Sequence, residues 1–131
     1  MLKQKKIIVS LTSFPAAIIF AKDAINSILS GNTLPDKLVL YLTFSQFKDG
    51  KVPFDLMTLA NNNPLFEIRN YSEDIRSYRK LIPAMKDFPN DIIVTIDDDV
   101  RYHKNMLRDL LLLHEQIPDV IIANRAKKIK L

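Results

Sequence analysis

The chain has no cysteine and only two glycines in 131 residues. Without cysteine there is no disulfide framework and no thiolate metal centre, a composition that suits a reducing cytoplasm. With Gly31 and Gly50 alone, neither a phosphate-binding glycine loop nor a dinucleotide fingerprint can be assembled. A nucleotide held by this chain therefore has to be held through a metal and basic side chains. No apolar run approaches the ~18 residues that a membrane span needs. The opening MLKQKKIIVSL has a basic front but an apolar stretch of only Ile7 to Leu11 and no small-residue cleavage site, so it reads as a strand rather than a signal peptide. Internal repeats, low-complexity segments and linkers are also missing.

What is present describes one α/β domain spanning 1–131. Hydrophobic residues make up 47%, enough for a real core in a chain of this length. The net charge of +4 favours anionic ligands such as nucleotides, phosphates or an acidic membrane surface. Much of that excess sits at Lys3, Lys5, Lys6, Arg125, Lys127, Lys128 and Lys130. No aromatic residues interleave with these clusters, which argues against nucleic acid as a partner.

Buried strands are expected at Ile7 to Leu11, Lys37 to Leu42, around Phe66 to Asn70, and at Ile92 to Ile96. Helices are expected at Ala16 to Ser30, near Asp55 to Ala60, at Ser77 to Asp87 with Leu81, Met85 and Phe88 on one face, and from His103 to Pro118. Asp119 to Ala123 is a fifth apolar run. Strands alternating with helices imply βαβ units, right-handed crossovers and a mostly parallel sheet in the order 3-2-1-4. The first and fourth strands then lie side by side where the winding reverses, and a ligand binds outside their carboxyl ends. Thr12 and Ser13 would share that crevice with the residues after Ile96.

Those residues are three aspartates, in IIVTIDDDVRYH. If the strand continued through them, Asp97 and Asp99 would lie roughly 6.5 Å apart on one side. They would then repel by about 2.5 kcal/mol at an effective dielectric near 20. A helix cap or polar strand end accounts for one aspartate; three call for a cation, and hard oxygen donors without cysteine suit Mg2+ or Mn2+ completed by substrate phosphates. Arg76, Arg79 and Lys80 near a helix start oppose its dipole, which phosphate neutralisation would explain and a solvated face with acidic partners would equally accommodate. His103 reads as a loop histidine and His114 as structural.

VSLTSFPAAI, LPDKLVLYL, EDIRSYRKLIPAMKDFPNDIIVTIDDDV and IIANRAKKI resemble, in order and spacing, the amino-terminal half of family 2-like GT-A glycosyltransferases of bacterial surface-polysaccharide synthesis. The most specific blocks are IRSYRKLIPAM and TIDDDV. The resemblance implies a Rossmann-like, three-layer nucleotide-sugar domain with a DxD motif. Asp97 and Asp99 would serve the metal, Asp98 the ribose, Thr12 and Ser13 the base, and Asp74, Arg76 and Lys80 would line the nucleotide. Ala17 stands where a basic residue is expected. Such enzymes run on for roughly another hundred residues that carry the acceptor site and the general base, so the resemblance implies a donor-binding half, cytoplasmic or peripheral at the inner membrane face.

Two other readings stand beside it. IIVTIDDDV also fits the Asp-x-Asp-x-Val pattern of haloacid dehalogenase-like phosphatases, with Asp97 as nucleophile and Asp99 as acid. That family, however, places this strand first. The third is a non-catalytic remnant of the fold that forms a homodimer through the apolar runs LLLL and VIIA.

Overall fold

The computed structural model describes residues 5–71 and 81–116. Four strands, β1 (Ile7–Thr12), β2 (Lys37–Leu42), β3 (Phe66–Asn70) and β4 (Ile92–Thr95), form one all-parallel sheet in the order β3-β2-β1-β4. Helices α1 (Ile18–Leu29), α2 (Phe54–Asn62), α3 (Leu81–Asp87) and α4 (Met106–Gln116) alternate with the strands, and two single-turn 3-10 segments, Phe44–Gln46 and Lys48–Gly50, lead into α2. This is the α/β sheet and strand order expected from the sequence. Asp74, Arg76 and Lys80, and the run from Asp119 to Ala123, lie outside the described residues.

Period-two alternation assigns each strand's side chains to two faces. Val9, Leu11, Leu38, Leu40, Leu42, Phe66, Val94 and Ile96 join Ile18, Ala21, Ile25 and Ile28 of α1, Leu56 of α2, and Met106, Leu107 and Leu110 of α4 in the larger core. Ile8, Val39, Tyr41 and Ile93 face the other way, against Ala84 and Phe88. The outcome is three layers, with β1 and β2 buried on both faces as the interior of a parallel sheet requires. Where α1 ends, a Cβ at Gly31 would come within 3.3 Å of the Lys104 carbonyl oxygen. That close approach brings the residues before α4 against α1, and Asn32 N–H donates to the same carbonyl at 2.9 Å.

Two expectations about helix faces fail. Met85 is exposed, and the covered side of α3 is carried by the smaller Ala84 with Phe88. The LLLL run is not an exposed patch: Leu110 is buried, Leu111 and Leu113 pack against the larger core, and Leu112 alone is exposed. Four consecutive leucines on a helix span more than one turn, so most of them reach the core, and this run offers little surface for a dimer.

The smaller-core side of β2 and β3 carries charge. Glu67 accepts from Arg69 Nε at 2.8 Å and lies 2.7 Å from Lys37 Nζ. Asp87, at the end of α3, accepts from Arg69 Nη1 at 2.8 Å and from the Tyr41 hydroxyl at 2.7 Å. The Arg69 guanidinium also sits 4.8 Å above the Phe88 ring, a cation–π contact. These links tie α3 to β2 and β3. The hydrogen bond from Arg69, aided by that from Lys37, holds the Glu67 carboxyl below the usual carboxylate range against the opposing effect of burial.

A depressed folded-state pKa means that ionised Glu67 contributes stability above the ordinary glutamate value of about 4.3. That contribution is lost as pH falls further, through the depressed value. Glu67→Gln is therefore expected to cost roughly 0.5–1 kcal/mol near neutrality, with wild type and variant converging below about pH 4. Urea unfolding across the pH range reads this out, and a difference that stays constant into acid would contradict the assignment.

Candidate functional site at the ends of β1 and β4

Parallel pairing places the carboxyl ends of β1 and β4 next to each other. Ile7 is in register with Ile92, and Ser10 with Thr95. Ile96 lies one residue beyond β4, yet its N–H donates to the Ser10 carbonyl at 2.9 Å, so the ladder carries the chain up to the aspartates. On the other strand, Ser13 N–H reaches the Tyr41 carbonyl of β2 at 3.4 Å. Ser13 is thereby held just past the carboxyl end of β1, only 4% exposed.

Its hydroxyl donates to Asp98 Oδ2 at 2.7 Å, across 85 positions of sequence. This bond joins the two chain segments expected to face one ligand. Thr12 ends β1 beside it, partly buried. Asp97 and Asp98 are partly buried and Asp99 is exposed. The strand does not continue through the triplet: β4 stops at Thr95, and Asp98 and Asp99 lie in a turn. The strand spacing expected between Asp97 and Asp99 therefore does not apply.

The bend is anchored by a residue that sequence reasoning missed. Tyr102, 7% exposed, accepts from Asp97 N–H at its phenolic oxygen at 2.8 Å. Its own N–H donates to Ser27 Oγ at 3.0 Å, and that hydroxyl in turn donates to the Ala24 carbonyl of α1 at 2.6 Å. Exposed Arg101 adds a 3.2 Å contact to Asp23. Helix α1 thus fixes the far end of the aspartate turn. His103 does not enter the site: it is exposed, and its Nδ1 accepts from Asn105 N–H at 3.1 Å just before α4.

Negative charge is concentrated at this point. Burial raises the Asp98 carboxyl above the usual range, the Ser13 hydrogen bond opposes the rise, and the charges of Asp99 and Asp97 add to it. Neighbouring anions and partial desolvation both penalise the carboxylate, and a cation relieves both. Among the described residues no three or more His, Cys, Asp or Glu side chains are gathered closely enough to hold an ion by themselves. What the protein presents is three carboxylates in succession after β4, of which Asp99 is the exposed one. On β1, Ser10 Oγ is fully buried with no hydrogen-bond partner among the described residues.

No family model matches the chain, and no curated protein matches it.

Because the Asp98 carboxylate is disfavoured in the folded chain, its ionisation costs stability as pH rises through the raised value. Asp98→Asn keeps an acceptor for Ser13 and removes the charge. In the absence of divalent cations, the variant is expected to melt a few degrees above wild type at pH 7, with the gap closing below about pH 4, where both side chains are neutral. Differential scanning calorimetry measures it, and a variant that melts lower at pH 7 would show that the ionised form is the favoured one.

Proposed function

We propose that the chain is a nucleotide-sugar-binding domain of the GT-A glycosyltransferase type, with its ligand seated over the carboxyl ends of β1 and β4. The observation that carries this reading is the 2.7 Å bond from Ser13 to Asp98 at the point where the strand order reverses. A crevice outside the strand ends at such a point is where open parallel sheets bind nucleotides. The DxD resemblance adds the chemistry.

Asp97 and Asp99 are the residues that would hold Mg2+ or Mn2+, and the fit rests on the donor set. Magnesium-type sites commonly use one or two carboxylates and take their remaining oxygens from water and substrate phosphates. An exposed Asp99 beside the partly buried Asp97 and Asp98 answers that description better than it answers a closed protein cage. When bound, the ion would neutralise charge on the leaving diphosphate. Asp98, oriented by Ser13, offers an acceptor to a ribose hydroxyl, and Thr12 and Ser13 present the end of β1 to the base. In a surface-polysaccharide transferase the sugar would pass to an acceptor hydroxyl attacking the anomeric carbon. Among the described residues no helix is long and apolar enough to cross a membrane.

The phosphatase reading gains no support from the fold, since the aspartate strand is the fourth of the described strands and stands at the end of the described sheet.

Thermal shift with UDP, GDP and CMP, each with and without Mn2+, tests the proposal. A nucleoside diphosphate with Mn2+ should raise the melting temperature, and a ligand at 100 times its Kd stabilises by about 2.7 kcal/mol. Asp99→Asn should abolish the rise. Equal shifts in EDTA, or an unchanged response in Asp99→Asn, would remove the metal from the account.

A further inference from the structure

The edge of β3 carries a self-complementary pattern. Leu38 N–H donates to the Leu65 carbonyl at 2.8 Å, and Tyr71 N–H to the Leu42 carbonyl at 2.7 Å. Odd-numbered residues of this segment therefore turn their backbone groups toward β2, and Phe66, Ile68 and Asn70 turn theirs outward. Phe66 N–H is taken by the Asn63 carbonyl at 3.0 Å. Among the described residues nothing bonds the outward backbone of Ile68, and no further strand follows β3. An apolar groove of about 780 Å3 runs beside this edge, lined in part by Phe44, Val52, Phe54, Met57, Phe66 and Ile68. Phe54 is 84% exposed and Met57 43%, an unusual amount of apolar surface beside an open strand.

We propose that this edge pairs with β3 of a second copy of the chain, antiparallel, about a two-fold axis at Ile68. Glu67 and Arg69 are already paired within each copy, so charge acts here by excluding registers that set like charges opposite, and the strand's pattern is complementary to itself. A two-fold at Ile68 sets Glu67 opposite Arg69 of the second copy on one face, and reciprocally. It sets Phe66 opposite Asn70 and makes Ile68 a hydrogen-bonded pair with itself, the geometry that its outward N–H and carbonyl require. Centring the axis on Glu67 or Arg69 instead places like charges directly opposite, which is destabilising. Centring it on Phe66 or Asn70 leaves only part of the strand paired. The five residues FEIRN thus favour one register, and in it every charge meets its opposite. A two-fold perpendicular to the sheet keeps each face on its own side, so the two α2 helices and their exposed Phe54 side chains come together over the joined strands. The result is one continuous sheet that joins the four described strands of each copy and leaves no open β3 edge. The crevice at β1 and β4 lies at the other side of each sheet and is left clear, so this inference stands apart from the proposed function.

The test is sedimentation equilibrium on the full chain between about 1 and 200 µM, with hydrogen exchange followed residue by residue at both ends of the range. A monomer–dimer equilibrium is expected, with the Ile68 and Asn70 amides exchanging slowly only at high concentration. Phe54→Glu, at a site with little to lose in the monomer, should weaken dimerisation by at least about tenfold while leaving the circular dichroism unchanged. Ile68→Pro removes the outward N–H without touching a bond to β2, and should do the same. A monomer at every concentration would overturn the proposal. So would a dimer in which the Ile68 and Asn70 amides exchange freely, or one indifferent to Phe54→Glu.

Discussion

Parallel pairing of β1 with β4 is the constraint on which the site depends. Residues of β1 and the aspartates after β4 are separated by more than 80 positions, and only the crossover through β2, β3 and α3 sets their strands side by side. The register then brings Ser13 and Asp98 to the same level at one edge of the sheet, where a single hydroxyl bridges them. Moving that register by one residue would turn Ile8 and Val9 to the wrong faces. The two cores, one with α1, α2 and α4 and the other with α3, hold it in place. The Ser13–Asp98 contact is therefore as firmly positioned as the sheet itself.

The strands were legible because a buried parallel sheet leaves little choice of residue. Ile7–Leu11, Lys37–Leu42 and Ile92–Ile96 are apolar on both faces, bounded by turn formers, and separated by helical stripes. From such a string the order 3-2-1-4 follows with few alternatives. What was not legible depends on side chains meeting across the fold. Tyr102 is one aromatic in a polar stretch, and nothing local shows that its hydroxyl receives the Asp97 amide or that Ser27 receives its own. The Tyr41, Glu67, Arg69 and Asp87 network draws on two strands and the end of α3, and exists only once β2 and β3 are neighbours. The bend at Asp98 was hidden for another reason. Extension of the strand by pattern has no signal for where pairing stops, and here the ladder ends at Thr95 and Ile96.

The two edges of the described sheet, β4 and β3, differ in what they leave unmet. At β4 the chain turns away in a run of carboxylates where burial, with a smaller addition from the charges of Asp99 and Asp97, leaves Asp98 reluctant to ionise. That is an electrostatic tension that a bound cation removes, and such tension is common where ligands bind. At β3 the charges are already balanced within the chain, by Lys37 and Arg69 against Glu67 and by Arg69 against Asp87. There the unmet requirement is apolar surface and backbone, which calls for a strand rather than an ion.

The proposed function has a divalent ion and a nucleoside diphosphate meeting at the ends of β1 and β4. Paramagnetic broadening by Mn2+ reports it most directly. In a 15N-labelled chain with UDP, sub-stoichiometric Mn2+ should broaden the amide signals of Thr12, Ser13 and Asp97 to Asp99 first, and leave those of β3 and α2 sharp. Broadening spread over the surface acidic residues, or confined to a region away from these five, would contradict the placement of the site.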